Sequence, residues 1–214
     1  MQGKLHYTTG KNSLRLGADS IVVEMADMKG HKYGNFHEYY TFHQQESRTT
    51  LIPKNFFLSL WKSQGEPATF TLLDIGCNEG NLTIELLSRA VSELPSEVHC
   101  FALGVDLDDI LIQRANEKSV NTPNISFLTV DIMSRDEGDG VSLINNFCRS
   151  KNFQGFSFVS QFSITMWIHL NHGDIGLEIF LSLGAGLLSD VSNYKSVICR
   201  ICVTVLTSAN KHQF

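Results

Sequence analysis

Hydrophobic positions in the middle of the chain fall into short unbroken runs, each followed by a turn and then by an amphipathic segment. Phe70 to Gly76 (FTLLDIG) reads as a buried strand that breaks at Gly76-Cys77-Asn78-Glu79-Gly80. Asn81 then opens a helix with Leu82, Ile84, Leu86 and Leu87 on its apolar positions. Cys100 to Val105 predicts a second strand ending at Asp106, and Ile110 to Lys118 a helix. Ile125 to Val130 predicts a third strand ending at Asp131, followed by a helix from Val141 to Cys148. Phe156 to Phe162 gives a fourth strand and Ile175 to Leu188 a further helix. Ahead of this series, Leu51 to Lys62 has apolar residues at helical spacing with Pro53 near its start. After it, the β-branched run Val197 to Leu206 predicts one more strand. Strands alternating with helices at this spacing predict an α/β fold, with a parallel sheet flanked by helices and right-handed crossovers.

Length and charge sharpen the picture. The 214 residues make one domain with a loose N-terminal arm, and 43% hydrophobic against 18% charged residues suits a packed core. The division expected is a poorly ordered extension over 1–30, a domain over 31–190 and a divergent tail over 191–214. A net charge of −5 argues against a general nucleic-acid binder, which needs an excess of Lys and Arg. The charge is uneven, however. Residues 1–54 carry a balance of +2 and four of the eight histidines, and the rest carries −7. An anionic partner is therefore expected at the N-terminal segment. Cys77, Cys100, Cys148, Cys199 and Cys202 form no paired zinc spacing, so free thiols in a reducing compartment are expected and a metal site is not. The N-terminus lacks the apolar core of a secretory signal, and no apolar run reaches the ~18 residues of a membrane span. These features predict a monomeric cytoplasmic or nuclear protein.

The candidate chemistry sits at the strand ends. Gly76 and Gly80 let the backbone approach a ligand closely, and the helix that follows offers N–H groups there. In an open parallel sheet, ligands bind beyond the carboxyl ends of the strands. Asp106 is placed to accept hydrogen bonds from two ribose hydroxyls, and Asp131 to meet an adenine amino group. Tight-turn glycines and helix-capping aspartates are the plainer alternative for each feature alone. Their register on three successive strand ends favours a nucleoside-bearing ligand. The turn lacks the third glycine of G-x-G-x-x-G, which disfavours a dinucleotide and favours S-adenosylmethionine.

The wording of several segments is more specific. Tyr33-Gly34-Asn35-Phe36, the Tyr39-Tyr40 pair, Asp74 to Gly80 (DIGCNEG) and Ser163 to Asp174 (SITMWIHLNHGD) resemble the Bicoid-interacting family of RNA methyltransferases. Within it they are closer to the branch acting on RNA 5′-monophosphates than to the methylphosphate capping enzymes. The resemblance implies a Rossmann-like, S-adenosylmethionine-dependent methyltransferase fold. It implies cofactor contacts from Tyr40, Arg48, Gly76, Cys77, Asn78, Asp106, Asp131 and Ile132. It places Tyr39 and His169, as catalytic residues, near the acceptor phosphate of a small RNA, transfer RNA or precursor microRNA.

That chemistry suits the residue set, because a phosphate monoester is already largely dianionic near neutral pH, with a second pKa of about 6. Its oxygen attacks a methyl group without a general base, and no Cys, Ser-His or metal constellation is needed. After Leu188 the resemblance ends, and the loop and hairpin expected of the family are absent. Incomplete C-terminal strands and an alternative or truncated gene product are expected on that ground. A catalytically impaired form that binds cofactor or RNA without turnover is the second reading, and a methyltransferase of small molecules or proteins the third.

Overall fold

The computed structural model describes residues 48–134, 139–162 and 164–189, together with the backbone of a two-residue antiparallel ladder between Ser13–Leu14 and Val23–Glu24. Among the described residues four strands form the sheet: β1 Thr69–Ile75, β2 His99–Asp106, β3 Ile125–Thr129 and β4 Phe158–Ser160. All pair in parallel in the order β3-β2-β1-β4. In β1 six consecutive residues, Phe70 to Ile75, are buried, which is the signature of a strand covered on both faces.

Among the described residues five helices cover the sheet: α1 Phe56–Ser63, α2 Asn81–Glu93, α3 Asp109–Ser119, α4 Gly140–Ser150 and α5 Thr165–Gly186. Phe57, Leu60 and Trp61 of α1 and Leu86, Leu87 and Ala90 of α2 pack with Phe70, Leu72, Ala102 and Phe158 on one side. Ile144 and Cys148 of α4 and Ile168 and Phe180 of α5 pack with Leu73, Ile75, Leu103 and Val105 on the other. Helix starts follow local chemistry. The Asp108 carboxylate accepts from the N–H groups of Ile110 (3.0 Å) and Leu111 (3.2 Å), and Asp139 accepts from Ser142 N–H (2.6 Å).

Three sequence expectations are corrected. The segment from Leu51 to Lys62 is not one helix. It is a 3-10 turn, Arg48–Leu51, followed by α1. Asn55 between them has φ 57, which interrupts the helical run, and the Arg89 guanidinium donates to the carbonyls of Thr49 and Pro53, which also accept the turn bonds from Ile52 N–H (3.1 Å) and Phe56 N–H (3.2 Å). A helical stretch from Thr165 to the break at Gly173, not expected, precedes the helix predicted from Ile175, and β4 is shorter than Phe156–Phe162. At the amino end of β4, Phe156 forms a parallel bridge with Leu188, where Phe156 N–H donates to Leu187 O and Ser189 N–H to Phe156 O, both 2.9 Å. The strand expected over Val197 to Leu206 lies outside the described residues. Cys77, Cys100 and Cys148 are free and buried, as expected, while Cys199 and Cys202 lie outside the described residues. No described helix is long and apolar enough to cross a membrane.

Candidate active site

The turn after β1 carries three left-handed residues in five: Gly76 (φ 77), Asn78 (φ 51) and Gly80 (φ 78). This curl folds the turn onto the neighbouring strand end. The N–H groups of Gly76 and Cys77 both donate to Val105 O, at 2.8 and 3.0 Å. Asn78 N–H donates to Asp106 Oδ2 (2.9 Å), Glu79 N–H to Asn78 Oδ1 (2.8 Å) and Gly80 N–H to Cys77 O (3.0 Å). Five consecutive amides are thus satisfied within the protein. A phosphate cradle of the dinucleotide or P-loop kind instead leaves such amides pointing at the anion.

Both glycines are required by space as well as by conformation. A Cβ on Gly76 would stand 2.8 Å from Ile164 Cδ1, and one on Gly80 would stand 2.5 Å from Phe127 Cζ. Gly104 on β2 meets the same ring, at 2.5 Å from its edge. Phe127 therefore wedges between β2 and the turn, beside Cys77, Ile112 and Ala115.

Asp106 ends β2 with its side chain almost wholly buried, at 8% exposure. Its Oδ2 accepts from Asn78 N–H and its Oδ1 from Asp108 N–H (3.1 Å). Burial pushes its carboxyl up, and the hydrogen bonds from the backbone of Asn78 and Asp108 only partly counter that. Two ionised oxygens offer about four lone-pair directions. The backbone takes only part of these, and the rest can accept from hydroxyl donors. Asp131 stands at the next strand end, joined to this one by the 2.8 Å bond from Val130 N–H to Asp106 O. Its side chain is exposed and its Oδ1 accepts from Met133 N–H (2.9 Å).

Two other residues predicted as cofactor contacts, Ile132 and Cys77, have buried side chains. The Ile132 side chain is buried in the core with Ile75, Val105 and Ile168. The Cys77 thiol is 2% exposed, and burial, then the charges of Asp74 and Asp106, push its pKa well up, so it stays a thiol and is not a nucleophile. Tyr39 and Tyr40 lie outside the described residues. Arg48 opens the 3-10 turn, and its side chain also lies outside them.

The structure adds a network not anticipated from the sequence. Asp74, 2% exposed, accepts from Ser160 Oγ (2.5 Å) and Thr83 Oγ1 (2.7 Å), tying β1 to β4 and α2 just below the turn. Only the position of Asp74 before the Gly76 turn hinted at it. Glu79 within the turn is held by Arg114 (2.8 Å) and Lys118 (2.5 Å) of α3.

Helix α5 closes the far side. Ile164, just before it, is the side chain that crowds Gly76, and Gly176 within it lies beside Met133 of the loop after β3. The stretch between spans the carboxyl end of the sheet. Gly173 breaks the helix there (φ 66, ψ −169), and His169 Nε2 lies 2.6 Å from Asp174 Oδ1 across the break. His169 is half exposed and Asp174 almost fully so. Trp167 is half-buried, and its carbonyl accepts from the Asn171 amide (2.9 Å). Among the described residues no group of three or more His, Cys, Asp or Glu comes together to hold a metal.

No protein-family model matches the chain. Curated proteins do. A pre-miRNA 5′-monophosphate methyltransferase of Danio rerio is 35% identical over 163 residues, 73% of this chain and 62% of that protein. One of Xenopus laevis is 33% identical over 183 residues, 83% of this chain and 69% of that protein. The RNA 5′-monophosphate methyltransferase of Homo sapiens is 35% identical over 159 residues, covering 70% of this chain and 53% of that protein. The chain thus spans between about half and two thirds of the length of these relatives. The alignments reach across most of the sequence at a level that chance does not produce. The chain belongs to the RNA 5′-monophosphate methyltransferase family.

Proposed function

We propose that this chain binds S-adenosylmethionine and transfers its methyl group to an oxygen of an RNA 5′-monophosphate. The observation that carries the cofactor choice is the closed turn from Gly76 to Gly80. Its amides are consumed internally and a buried carboxylate, Asp106, lies against it. That surroundings repels a pyrophosphate and suits a ligand with ribose hydroxyls and a positive charge. When bound, S-adenosylmethionine supplies an electrophilic methyl carbon on its sulfonium.

The chain's own part is to hold and dry the site. Asp106 accepts the ribose hydroxyls, Asp131 faces the base, and Phe127 keeps the turn in place. The stretch of α5 from Ile164 to Gly176 supplies His169 as a donor toward the acceptor phosphate. Tyr40 and Arg48 are proposed as further cofactor contacts, and Tyr39 as a second phosphate donor. A phosphate dianion attacks without a base, so the rate comes from proximity and alignment. The names of the Danio rerio and Xenopus laevis relatives support a precursor microRNA as acceptor. The sequence resemblance adds transfer RNA, and both acceptors are met in the cytoplasm or nucleus.

The test has two steps. Calorimetric titration with S-adenosylhomocysteine reads the cofactor site, and methyl transfer to 5′-phosphorylated and dephosphorylated RNA reads the acceptor. Transfer is expected only to the phosphorylated RNA. Equal transfer to both would overturn the acceptor assignment, and no cofactor binding would overturn the reading as a whole.

A further inference from the structure

We propose that Asp174 is a positioning residue for His169, and that the Gly173 kink joins them so that the imidazole presents its second nitrogen to the terminal phosphate of the RNA. The inference rests on the acceptor reading above and adds two residues to it.

In a straight helix the neighbours of a side chain are three and four residues away. A residue five away is rotated by about 140° around the axis at 3.6 residues per turn. Asp174 would then point away from His169. At Gly173 the backbone leaves the helix for one residue (φ 66, ψ −169), and the carboxylate oxygen returns to 2.6 Å from Nε2. That backbone region is open almost only to glycine. A Cβ on Gly173 would meet nothing within 4 Å, so conformation alone, and not crowding, calls for glycine here.

A carboxylate only accepts, so Nε2 carries the hydrogen of this bond. The ring orientation is thereby fixed, and Nδ1 becomes the nitrogen presented to a ligand. A hydrogen carried on Nδ1 is then aimed outward as a donor to a phosphate oxygen. The pair stands on the part of α5 that spans from Ile164, over Gly76, to Gly176, beside Met133. This is the carboxyl end of the sheet, where the strand-end residues gather. Met166 and Leu170, 57% and 69% exposed, flank His169 on the same helix and give the pair an apolar rim.

The experiment uses the full chain and two oligoribonucleotides of one sequence, with a 5′-phosphate or a 5′-hydroxyl. Anisotropy reads their binding, calorimetry reads S-adenosylhomocysteine, and nitrogen spectra of labelled histidine read the ring. The parent chain is expected to prefer the phosphorylated end. Asp174→Asn should erase about tenfold of that preference, the scale of one charge-assisted hydrogen bond, with unchanged S-adenosylhomocysteine affinity and an altered His169 ring signal. Asp174→Glu should restore part of the loss. Gly173→Ala should copy Asp174→Asn although it carries neither polar group. Asp174 is 91% exposed, so these changes leave the core untouched.

Full retention of the phosphate preference in Asp174→Asn would overturn the pairing. A parallel loss of cofactor affinity would do the same, because it would mark a general disturbance. If the parent methylates phosphorylated RNA and Asp174→Asn binds it normally, the pairing fails and the methyltransferase reading stands. If the parent transfers no methyl group yet the Asp174 effect appears, the pairing stands and that reading fails. A parent chain without phosphate preference overturns both.

Discussion

A single methyl group added at Gly104 should be felt at the ligand-binding turn, although Gly104 lies within β2. Its Cβ would stand 2.5 Å from two edge carbons of Phe127 and 3.0 Å from Cys77 Sγ. Carbon atoms pack at about 3.5–4.0 Å, so the overlap with the ring is about 1 Å. The ring cannot yield freely, because it is 5% exposed and its tip occupies the space where a Cβ on Gly80 would lie. Overpacking of this kind costs roughly 1–3 kcal/mol. Gly104 does not have the positive φ of Gly80, so Gly104→Ala reports the overlap alone. Gly80→Ala should cost roughly 1–2 kcal/mol more, from its left-handed backbone. Urea melts of the parent, Gly104→Ala, Phe127→Leu and the double variant form a cycle. The smaller side chain frees the space that the new methyl needs, so the double variant should be more stable than the summed losses by at least about 0.5 kcal/mol. S-adenosylhomocysteine affinity should fall in Gly104→Ala and recover in part in the double variant. Additive losses, within about 0.3–0.5 kcal/mol, would refute the wedge.

Asp106→Ala should weaken S-adenosylhomocysteine binding by roughly 1–3 kcal/mol, the scale for hydrogen bonds to a charged group, and an unchanged titration of the folded variant would remove Asp106 from the site. Glu79 gives a pH signature: burial pushes its carboxyl up, but the hydrogen bonds and charges of Lys118 and Arg114 outweigh this and hold it below its usual value. A lowered folded pKa means stability that is present above the unfolded value of about 4.3 and is lost as pH falls through the folded one. Glu79→Gln should therefore cost about 0.5–1 kcal/mol near neutrality, a figure discounted for the partial exposure of both cations, and nothing in strong acid. A difference in urea midpoint that stays constant with pH would count against the ion pairs.

The sheet was legible in the sequence because parallel strands are buried on both faces and so appear as unbroken apolar runs. Phe70 to Gly76 and Cys100 to Val105 match β1 and β2 to within a residue or two. The start of α5 was not legible, because residues 165–174 carry two histidines, an asparagine and an aspartate where a buried helix would show apolar residues. The kink at Gly173 also rotates the apolar stripe, so no single helical period runs through the whole element. Asp106 and the glycines of the turn were found from their place at strand ends. The contact of His169 with Asp174 was hidden, since a spacing of five links two side chains only when the helix breaks between them. Phe127 was hidden for another reason. It reads as one more apolar strand residue, and only the two glycines facing it reveal its role.

The two ends of the sheet differ in how much of their fastening depends on temperature. At the amino end Phe56, Phe57, Phe70 and Phe158 meet edge to face, with ring centroids 5.4 to 6.0 Å apart. At the carboxyl end Asp74 holds Ser160 and Thr83, and Asp106 holds the amides of Asn78 and Asp108. Apolar association weakens on cooling, whereas hydrogen bonds to carboxylates do not depend on it. Chilling should therefore weaken the ring packing beneath α1, leaving the bonds from Asn55 and Phe57 N–H to the Glu93 carboxylate as its tether, and amide exchange near freezing should quicken in the body of α1 more than at Asn78, whose amide is held by Asp106.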